Sequence, residues 1–288
     1  MEALDNSKIW FVTGTSSGIG LSLVKKLLIN GYKVSALTRK PEELEKQVKE
    51  INNHVDNLLI TKTDITNDQS VKNAVEKTIE KFGKIDVVIN NAGYGLIGSL
   101  EEVSDEEVRA IYDVNVFGVI NILRNTTPHL RKQRSGIIIN VSSVLGWYSM
   151  ANYYAYCSTK HAVNAITFSA QKELKPFGVK VILASPGGFR TNFVVGETTN
   201  FQIPKSLLDE YKTNELIQIF NKYSPNSKGD PEKAADVLIK LTNLNEVPDN
   251  LFMGSDSLEQ SKLHLEAHLK ENEKWAQLSV SSDFDQDK

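Results

Sequence analysis

The 288-residue chain contains a single cysteine, Cys157, so no disulfide can form within it and one cysteine leaves no thiolate metal cluster. Its fold therefore needs no oxidising compartment. Lysine and arginine number 33 against 36 aspartates and glutamates, a net charge of −3. This balance gives no electrostatic reason to expect nucleic acid or an anionic membrane as a partner.

Long apolar runs are also missing. No stretch approaches the roughly 20 apolar residues that a membrane-spanning helix needs. The first residues, Met1 to Asp5, show neither the basic segment nor the apolar segment of a secretory signal. We therefore expect a soluble, cytoplasmic protein.

The chain does have a regular alternation of short apolar runs with amphipathic segments. The run at 136–141 is β-branched throughout its middle, which is typical of a central strand buried on both faces of a parallel sheet. Similar runs stand at 8–13, 32–38, 57–62, 85–89, 177–184 and 251–253, and helical patterns lie between them. No repeat or linker divides the chain, so one α/β domain is predicted.

Two segments depart from this alternation. Between 192 and 229 the apolar residues suggest two amphipathic pieces, and a long insert at such a place favours a lid over a substrate site. The tail, 255–288, begins with the pattern of a charged amphipathic helix that we expect to end near Trp275. Its last residues, 281–288, have the composition of a disordered end.

A glycine-rich turn follows the first strand and leads directly into a helix. It reads Gly14-Thr15-Ser16-Ser17-Gly18-Ile19-Gly20. Glycines permit a tight bend and close approach of a phosphate, and the helix N-terminus favours its negative charge. Between a strand and a helix this pattern predicts a nucleotide phosphate site, although an isolated glycine cluster is more often a plain turn.

The end of the second strand indicates which dinucleotide is bound. An acidic residue about 20 residues past the glycine turn holds the ribose hydroxyls of NAD, whereas an arginine there suits the 2′-phosphate of NADP. This chain has Thr38-Arg39-Lys40 and no acid. The sequence therefore favours NADP(H) over NAD(H), unless the two basic residues are only a solvated strand end.

Tyr156 and Lys160 stand one helical turn apart, so a helix would project both side chains from one face. An ammonium group there could lower the pKa of the tyrosine and make it a proton-transfer catalyst. Tyr153 and Tyr154 have no basic residue four positions on. Ser143, just after the 136–141 strand, could hydrogen-bond a substrate oxygen held near Tyr156.

Other polar residues also follow predicted strands, and one lies inside a predicted helix. Asn90-Asn91-Ala92-Gly93 could tie neighbouring strand ends and leave room for a ribose. The helix predicted from Ser104 to Lys132 contains Asn115, an interior residue that is either exposed or has a polar role.

These motifs, in this order, resemble the single-domain branch of the short-chain dehydrogenase/reductase superfamily. The likeness runs from Lys8 to Met253. It rests on Thr13 with the glycine turn, Asp64, the Asn-Asn-Ala-Gly segment, the Tyr–Lys pair and, after the 177–184 strand, Pro186-Gly187 with Thr191. Phe189 departs from the family's usual small aliphatic residue, and the tail is longer than usual.

The resemblance implies a doubly wound Rossmann sheet of about seven parallel strands, and hydride transfer between a nicotinamide and a carbonyl or secondary alcohol carbon. It implies that Tyr156 is the general acid, that Ser143 polarises the carbonyl, that Lys160 lowers the Tyr156 pKa and holds the ribose, and that Asn115 anchors a water chain. The implied cofactor contacts are Gly14, Thr15, Ser16, Ser17, Gly18, Ile19, Gly20, Arg39, Asp64, Ile65, Asn91, Ala92, Gly93, Tyr156, Lys160, Pro186, Gly187, Phe189 and Thr191.

The expected substrate is a small carbonyl or alcohol compound of apolar or aromatic character. Tyr94, Tyr148 and Phe193 are the candidate contacts besides Ser143, and steroid, retinoid, fatty-acyl and aryl ketones all stay open. The family also implies a homo-oligomer, a dimer or tetramer formed through the helices around Asn115 and after Tyr156. Two other functions stay open: a non-catalytic NADP(H)-binding redox sensor and a sugar-nucleotide epimerase or dehydratase.

Overall fold

The computed structural model describes residues 5–51, 54–191, 193 and 201–284, and these form an α/β domain. Its strands are β1 (Ile9–Thr13), β2 (Lys33–Thr38), β3 (Leu58–Lys62), β4 (Val87–Asn90), β5 (Gly95–Leu96), β6 (Gly136–Val141), β7 (Val179–Pro186), β8 (Phe201–Gln202) and β9 (Asn250–Met253). Its α-helices are α1 (Gly18–Ile29), α2 (Pro41–Val48), α3 (His54–Asn57), α4 (Asp68–Phe82), α5 (Asp105–Tyr112), α6 (Gly118–Gln133), α7 (Tyr154–Leu174), α8 (Thr213–Tyr223), α9 (Pro231–Leu241) and α10 (Ser255–Val280).

Seven strands form one parallel sheet in the order β3-β2-β1-β4-β6-β7-β9. The chain moves outward from β1 to β3 and then returns to the other side of β1 with β4. Strand order therefore reverses between β1 and β4, and loops after these strands diverge there to leave a crevice. This confirms the predicted doubly wound fold.

Helices cover both faces of the sheet, because successive strand residues point to opposite sides. Trp10 and Ile139 belong to one apolar cluster, whereas their chain neighbours Phe11 and Ile138 belong to the other. The first cluster also includes side chains of α1, α2 and α9, and the second includes side chains of α4, α6 and α7. Both faces of the central strands are thus buried, as their continuous apolar runs predict.

Helix ends follow local capping chemistry. Ser104 and Glu107 form a reciprocal capping box at the start of α5. Asn67 accepts a hydrogen bond from the backbone N–H of Ser70 at the start of α4, and Gly83 ends that helix with φ of 85°. These polar residues determine where the helices begin and end, so the corresponding boundaries were predictable.

Several predicted boundaries are wrong. Strands β4 and β7 both begin two residues later than predicted, at Val87 and Val179. The tail helix continues to Val280. These ends have no strong cap in the sequence, so propensity alone could not locate them.

The helix predicted from Ser104 to Lys132 is also interrupted. One π-helical turn, Asp113–Phe117, separates α5 from α6. Such turns add one residue to a helical circuit and occur often at functional sites. The extra residue turns Asn115 inward, where it is 1% exposed. Of the two roles predicted for Asn115, the polar one is confirmed.

The insert, 192–229, is described from 201 onward and at Phe193; residues 192 and 194–200 lie outside the described part, as do 285–288 of the tail. The short strand β8 pairs with β5, and α8 follows. Of the two amphipathic pieces expected there, the described residues show one as helix α8. Among the described residues, no helix is both long enough and apolar enough to cross a membrane.

Candidate active site

The glycine turn lies at the crevice between β1 and β4. Gly14 has φ of 69° and Gly18 has φ of 56°, values that favour glycine. A β-carbon on Gly14 would lie 2.7 Å from Ala92 Cα, and one on Gly20 would collide with the Gly14 carbonyl oxygen. The backbone is therefore packed so tightly that only glycine fits at Gly14 and Gly20.

Polar side chains join this turn to the end of β4. The Asn91 amide donates to the carbonyl oxygens of Thr13 at 3.1 Å and Gly14 at 3.0 Å. Thr13 Oγ1 accepts from the backbone N–H groups of Asn91 and Ala92. The sequence did not indicate this role of Thr13. Each donor here has a partner, so the loop is held rigidly beside the turn.

Arg39 and Asp64 follow the ends of the neighbouring strands β2 and β3. The backbone N–H of Thr63 donates to the Thr38 carbonyl oxygen, which continues the pairing of β2 with β3 to this edge. The Thr38 hydroxyl is buried and accepts from the backbone N–H of Lys40. Arg39 is exposed and makes no hydrogen bond or ion pair within the described part of the chain.

Asp64 and Ile65 lie just after β3, at the carboxyl edge of the sheet. The Asp64 carboxylate accepts two hydrogen bonds from Thr66, and the Ile65 carbonyl oxygen accepts one from Asn121. The Ile65 side chain packs so closely on Gly118 that a β-carbon there would lie 2.6 Å from Ile65 Cδ1. These contacts fix the positions of Asp64 and Ile65.

Tyr156 and Lys160 are both buried in α7, each 6% exposed. Lys160 Nζ lies 5.7 Å from the centre of the Tyr156 ring and donates a 3.0 Å hydrogen bond to the Val141 carbonyl oxygen. A β-carbon on Gly93 would lie 3.7 Å from the same Nζ. The helix therefore places the ammonium group beneath the tyrosine and against the end of β4, as the four-residue spacing predicts.

Burial controls the protonation of this pair. It raises the pKa of the Tyr156 phenol well above its usual value, although a hydrogen bond with Ser143 acts in the opposite direction. It lowers the pKa of Lys160 to about 8. Burial dominates the pKa of Tyr156 because dehydration of the phenolate is costly, and the lowering of this pKa by Lys160 stays a prediction. Tyr156 is a protonated phenol at neutral pH.

Ser143 lies at the start of a single 3₁₀ turn after β6. Its hydroxyl accepts from the backbone N–H of Leu145 at 3.1 Å and is 7% exposed. The preceding Ser142 donates to Asn164 Oδ1 at 2.6 Å, and Asn164 donates to the Gly146 carbonyl oxygen. The contact between Ser142 and Asn164 holds the loop against α7. It was not predicted, although two adjacent serines directly after a strand indicate a polar role there.

Asn115 connects the π-helical turn to two other elements. Its Oδ1 accepts from the backbone N–H of Tyr94, and its Nδ2 donates to the Tyr94 carbonyl oxygen at 2.9 Å and to Thr159 Oγ1 at 3.2 Å. A β-carbon on Gly93 would lie 3.1 Å from its Oδ1. Asn115, Ser143, Tyr156 and Lys160 are thus brought around the ends of β4 and β6.

A second buried amide network lies beneath this site. Asn90 donates to Asn140 Oδ1 at 2.7 Å across β4 and β6, and Asn140 donates to Thr167 Oγ1 on α7 at 2.9 Å. All three side chains are at most 2% exposed. The sequence indicated Asn90 only as part of its turn motif, and this network was not predicted. The signal for it was Asn140, a polar residue inside an otherwise apolar strand.

The segment after β7 closes one side of the crevice. Thr191 lies over the glycine turn, since a β-carbon on Gly18 would be 3.3 Å from its Cβ. The backbone N–H of Gly188 donates to Asp256 Oδ2 on α10 at 2.7 Å, and a β-carbon on Gly187 would collide with the same carboxylate. Phe189 pairs with Gly229 in a β-bridge.

The family is decided by comparison with known proteins. The family model of the short chain dehydrogenases matches residues 8–200, more than half of the chain. The chain belongs to this family. Oxidoreductase BOA17 of Botryotinia fuckeliana is 34% identical over 278 residues, covering 96% of this chain and 99% of that protein.

Two solved structures show the same likeness. A short-chain dehydrogenase from Streptomyces avermitilis has a TM-score of 0.87 and 29% identity, covering 96% of this chain and 99% of that one. The 3-ketoacyl-(acyl-carrier-protein) reductase of Brucella melitensis, solved with NADH, has a TM-score of 0.71 and 26% identity, covering 85% and 95%. This chain is therefore an NAD(P)-dependent short-chain dehydrogenase/reductase, which confirms the predicted family.

An aromatic surface in this short-chain dehydrogenase surrounds Tyr156. Its ring stacks on Tyr153 at 4.8 Å between centroids and approaches Phe193 at 5.8 Å. Phe201 and Phe220 of the insert pack on the other side of Tyr153, at 5.6 and 5.7 Å. The structure thus places Phe193, a predicted substrate contact, against Tyr156, and Tyr153 is an addition that the Tyr–Lys spacing could not reveal.

The other predicted substrate contacts differ in position. Tyr94 and Tyr148 both pack at the edge of the cluster that contains Tyr156. Burial, followed by the charge of Asp113, raises the pKa of Tyr94 to about 12. The Tyr148 ring stacks on His264 of α10 at 3.9 Å.

Phe189 does not line the aromatic surface. Its ring packs instead against the core cluster that includes α1 and α9. A β-carbon on Gly229 would collide with the Phe189 ring, so the missing side chain at Gly229 leaves room for the ring in this position.

The insert is attached to the domain through a buried carboxylate. Glu102, 8% exposed, accepts from the backbone N–H groups of Ser99 at 2.7 Å and Leu208 at 2.9 Å and from Thr213 Oγ1 at 2.6 Å. Burial raises its pKa, but these hydrogen bonds lower it more, so the pKa lies below the usual value. Glu102 is therefore an ionised anchor between the sheet domain and the start of α8.

Proposed function

We propose that this short-chain dehydrogenase interconverts an apolar or aromatic ketone and its secondary alcohol with NADP(H) as the preferred cofactor. The observation that supports it most is the protonated Tyr156, which has a hydrogen bond with Ser143, Lys160 one turn away and aromatic rings around it. A proton donor in an apolar setting suits a carbonyl compound that has little else to offer for hydrogen bonding.

The residues at the crevice fit a dinucleotide. A backbone cradle at Gly14 and Gly20 that excludes any β-carbon accepts a pyrophosphate on the N-terminus of α1. Asp64 and Ile65 would border the adenosine, and Asn91, Ala92 and Gly93 would border its ribose. The nicotinamide half would lie between Lys160 and the segment from Pro186 to Thr191. Once bound, the cofactor would supply or accept the hydride.

Preference for NADP(H) rests on Arg39. Its guanidinium is exposed and makes no hydrogen bond or ion pair with the described residues, and Lys40 beside it already pairs with Glu43 at 3.0 Å. A guanidinium holds a phosphate through two parallel charge-assisted hydrogen bonds. This preference is inferred from position 38, which holds a threonine and not an acidic residue. It is not inferred from the similarity to a reductase that was solved with NADH.

Proton transfer would follow from the three side chains around the carbonyl. Ser143 would donate a hydrogen bond to the carbonyl oxygen, and Tyr156 would donate its proton to the same oxygen as the alcohol forms. Lys160, with a pKa of about 8, stays mostly cationic at neutral pH and would stabilise the phenolate left on Tyr156. Alcohol oxidation would use the same groups in reverse.

Asn115 would take part in returning a proton to Tyr156 after the reaction. Its side chain holds the Tyr94 backbone and Thr159, and lies beside Gly93 near the Lys160 ammonium. We propose that it anchors the water chain that reprotonates Tyr156 by way of Lys160. The described insert would close over the substrate through Phe201 and Phe220, which pack on Tyr153.

The test is the cofactor preference of a double variant, Thr38→Asp with Arg39→Ala. One charge-assisted contact of about 1.5–3 kcal/mol gives a tenfold or greater preference, at about 1.4 kcal/mol per decade. We expect kcat/KM to favour NADPH at least tenfold in the wild type and to favour NADH in the double variant, whose carboxylate repels the phosphate. Lys40→Ala is the matched control and should change the ratio little. Equal values for both cofactors in the wild type would contradict the proposal.

A further inference from the structure

Within the residues that the structure describes, helix α10 is attached to the domain only through its first part. Ser257 donates to the Ser185 carbonyl oxygen at 2.7 Å, Ser261 is 2% exposed, and His264 stacks on Tyr148. From Leu265 to the end of α10 at Val280 every side chain is exposed. This segment of the helix has no packing surface within the described part of the chain.

Local interactions stabilise this projecting segment only weakly. Isolated helices shorter than about 12–15 residues are marginal in water, and longer ones need a good packing surface or strong propensity. The side chains along it form only exposed contacts, such as the 3.9 Å pair of Lys262 with Glu266 and the hydrogen bond of Trp275 to Glu271. Exposed pairs of this kind stabilise by less than about 1 kcal/mol each. A partner surface is therefore expected.

One side of α10 provides such a surface. Successive residues of a helix turn by about 100°, which places one apolar stripe within a sector of roughly 60°. Its members are Leu258, Leu265, Leu269, Ala276 and Val280. Leu258 is 62%, Leu265 45% and Leu269 59% exposed, more than a core-facing helix allows.

The stripe is symmetric along the helix. Leu265 and Leu269 lie two residues on either side of position 267, and Leu258 and Ala276 lie nine residues on either side of it. If two copies of α10 lie antiparallel about a two-fold axis at position 267, each residue meets its mirror position. Leu265 then packs on Leu269 of the other copy, and Leu258 packs on Ala276.

The charges beside the stripe fit the same arrangement. Lys262, at the same angle as Val280, and Glu273 lie along one edge of the stripe, five residues before and six residues after position 267. A two-fold axis across antiparallel helices keeps that flank on the same side, so Lys262 of each copy lies beside Glu273 of the other, one residue from its mirror position Asn272. In a parallel two-fold pair this flank would lie on opposite sides of the contact, so Lys262 and Glu273 of the two copies would not meet. The pattern thus favours one orientation.

From these features we propose that α10 forms an antiparallel, two-fold symmetric contact with α10 of a second copy of this chain. An anionic membrane fits less well, since α10 carries Asp256 and four glutamates against three lysines. The contact does not depend on the helices around Asn115 and after Tyr156, and it does not depend on the proposed reaction.

The experiment measures molecular mass by light scattering from low to high micromolar concentration. The wild type should exceed the chain mass of 32.1 kDa. Leu265→Glu with Leu269→Glu should halve the mass and raise the dissociation constant at least tenfold. The matched control is Leu263→Glu with Leu278→Glu, two similarly exposed leucines on other sides of α10, which should keep the wild-type mass.

Charge reversal provides a second, specific readout. Lys262→Glu and Glu273→Lys should each weaken association by placing like charges opposite one another, and the double variant should restore it. The proposal is overturned if the wild type is monomeric, if the stripe variant keeps its mass, or if the double variant associates no better than the single ones. Binding of α10 to vesicles of phosphatidylcholine and phosphatidylserine without self-association would also overturn it.

Discussion

At the scale of single residues, the site depends on burying groups that prefer water. Lys160 is almost completely buried, yet it retains a hydrogen bond to the Val141 carbonyl oxygen, and Tyr156 is equally buried beside Ser143. The four-residue spacing of Tyr156 and Lys160 was sufficient to predict that they share a helix face. Their pKa values could not be predicted, because desolvation depends on residues distant in the chain, such as Phe193 and the strand that carries Val141.

The buried ammonium of Lys160 should cost stability at neutral pH. Its pKa of about 8 lies below the unfolded value of 10.5, so the unfolded chain binds the extra proton between these two values. Stability must therefore rise with pH across that window. This lowering of the Lys160 pKa corresponds to a cost of about 3 kcal/mol in the free energy of unfolding at neutral pH. Removing the ammonium group would also remove its hydrogen bond to Val141, which offsets about 1 kcal/mol of the gain.

Lys160→Met is thus expected to be more stable than the wild type at pH 7 by about 2 kcal/mol, and inactive. The gap should largely close near pH 10, where the wild-type side chain is neutral in the fold. Urea unfolding at the two pH values measures this. The exposed Lys172 of the same helix is the control position for substitution by Met. A wild type that is more stable at pH 7, or a gap that does not change with pH, would show that the ammonium is not costly.

At the scale of elements, two features shape the site and neither follows from local propensity. The π-helical turn brings Asn115 to Tyr94 and Thr159, and the insert reaches the site by packing Phe201 and Phe220 on Tyr153. The sequence showed an interior asparagine and an irregular segment. Which atoms they meet depends on contacts between distant parts of the chain.

The anchor of the insert can be tested at Glu102. Glu102→Gln replaces one acceptor oxygen with a donor that faces Ser99, Leu208 or Thr213, and leaving such a buried group unsatisfied costs about 1–3 kcal/mol. We expect faster amide hydrogen exchange in 201–223, a higher KM for substrate and a kcat that changes less. Exchange in the central strands should not change.

The neighbouring Glu101 provides the control for this variant. Glu101 is exposed and, among the described residues, accepts only from the Tyr211 hydroxyl, so Glu101→Gln should alter exchange and KM much less. If both variants behave alike, or if Glu102→Gln protects 201–223 as well as the wild type does, the insert is held by its aromatic contacts alone.

At the scale of the whole molecule, the sheet was the most predictable part. Parallel strands buried on both faces must be apolar along their length, so runs such as 136–141 identify them without any tertiary information. The crevice follows from strand order, and the motifs at the carboxyl ends of β1, β2, β4 and β6 consequently meet there. The projecting part of α10 was not foreseen, because its pattern is the same whether a helix packs on its own domain or on another chain.

We propose that this chain transfers a hydride between NADP(H) and a carbonyl compound, with Tyr156 as the proton donor. The most direct measurement uses NADPH deuterated at C4, in both stereochemical forms, with a panel of apolar and aromatic ketones. We predict an alcohol one mass unit heavier with one of the two forms. Tyr156→Phe should bind NADPH as before yet lose this product by about 10²–10⁴-fold, whereas Tyr154→Phe should keep it. If no ketone gains deuterium, or the label returns to the cofactor, or Tyr156→Phe turns over like the wild type, the account is contradicted.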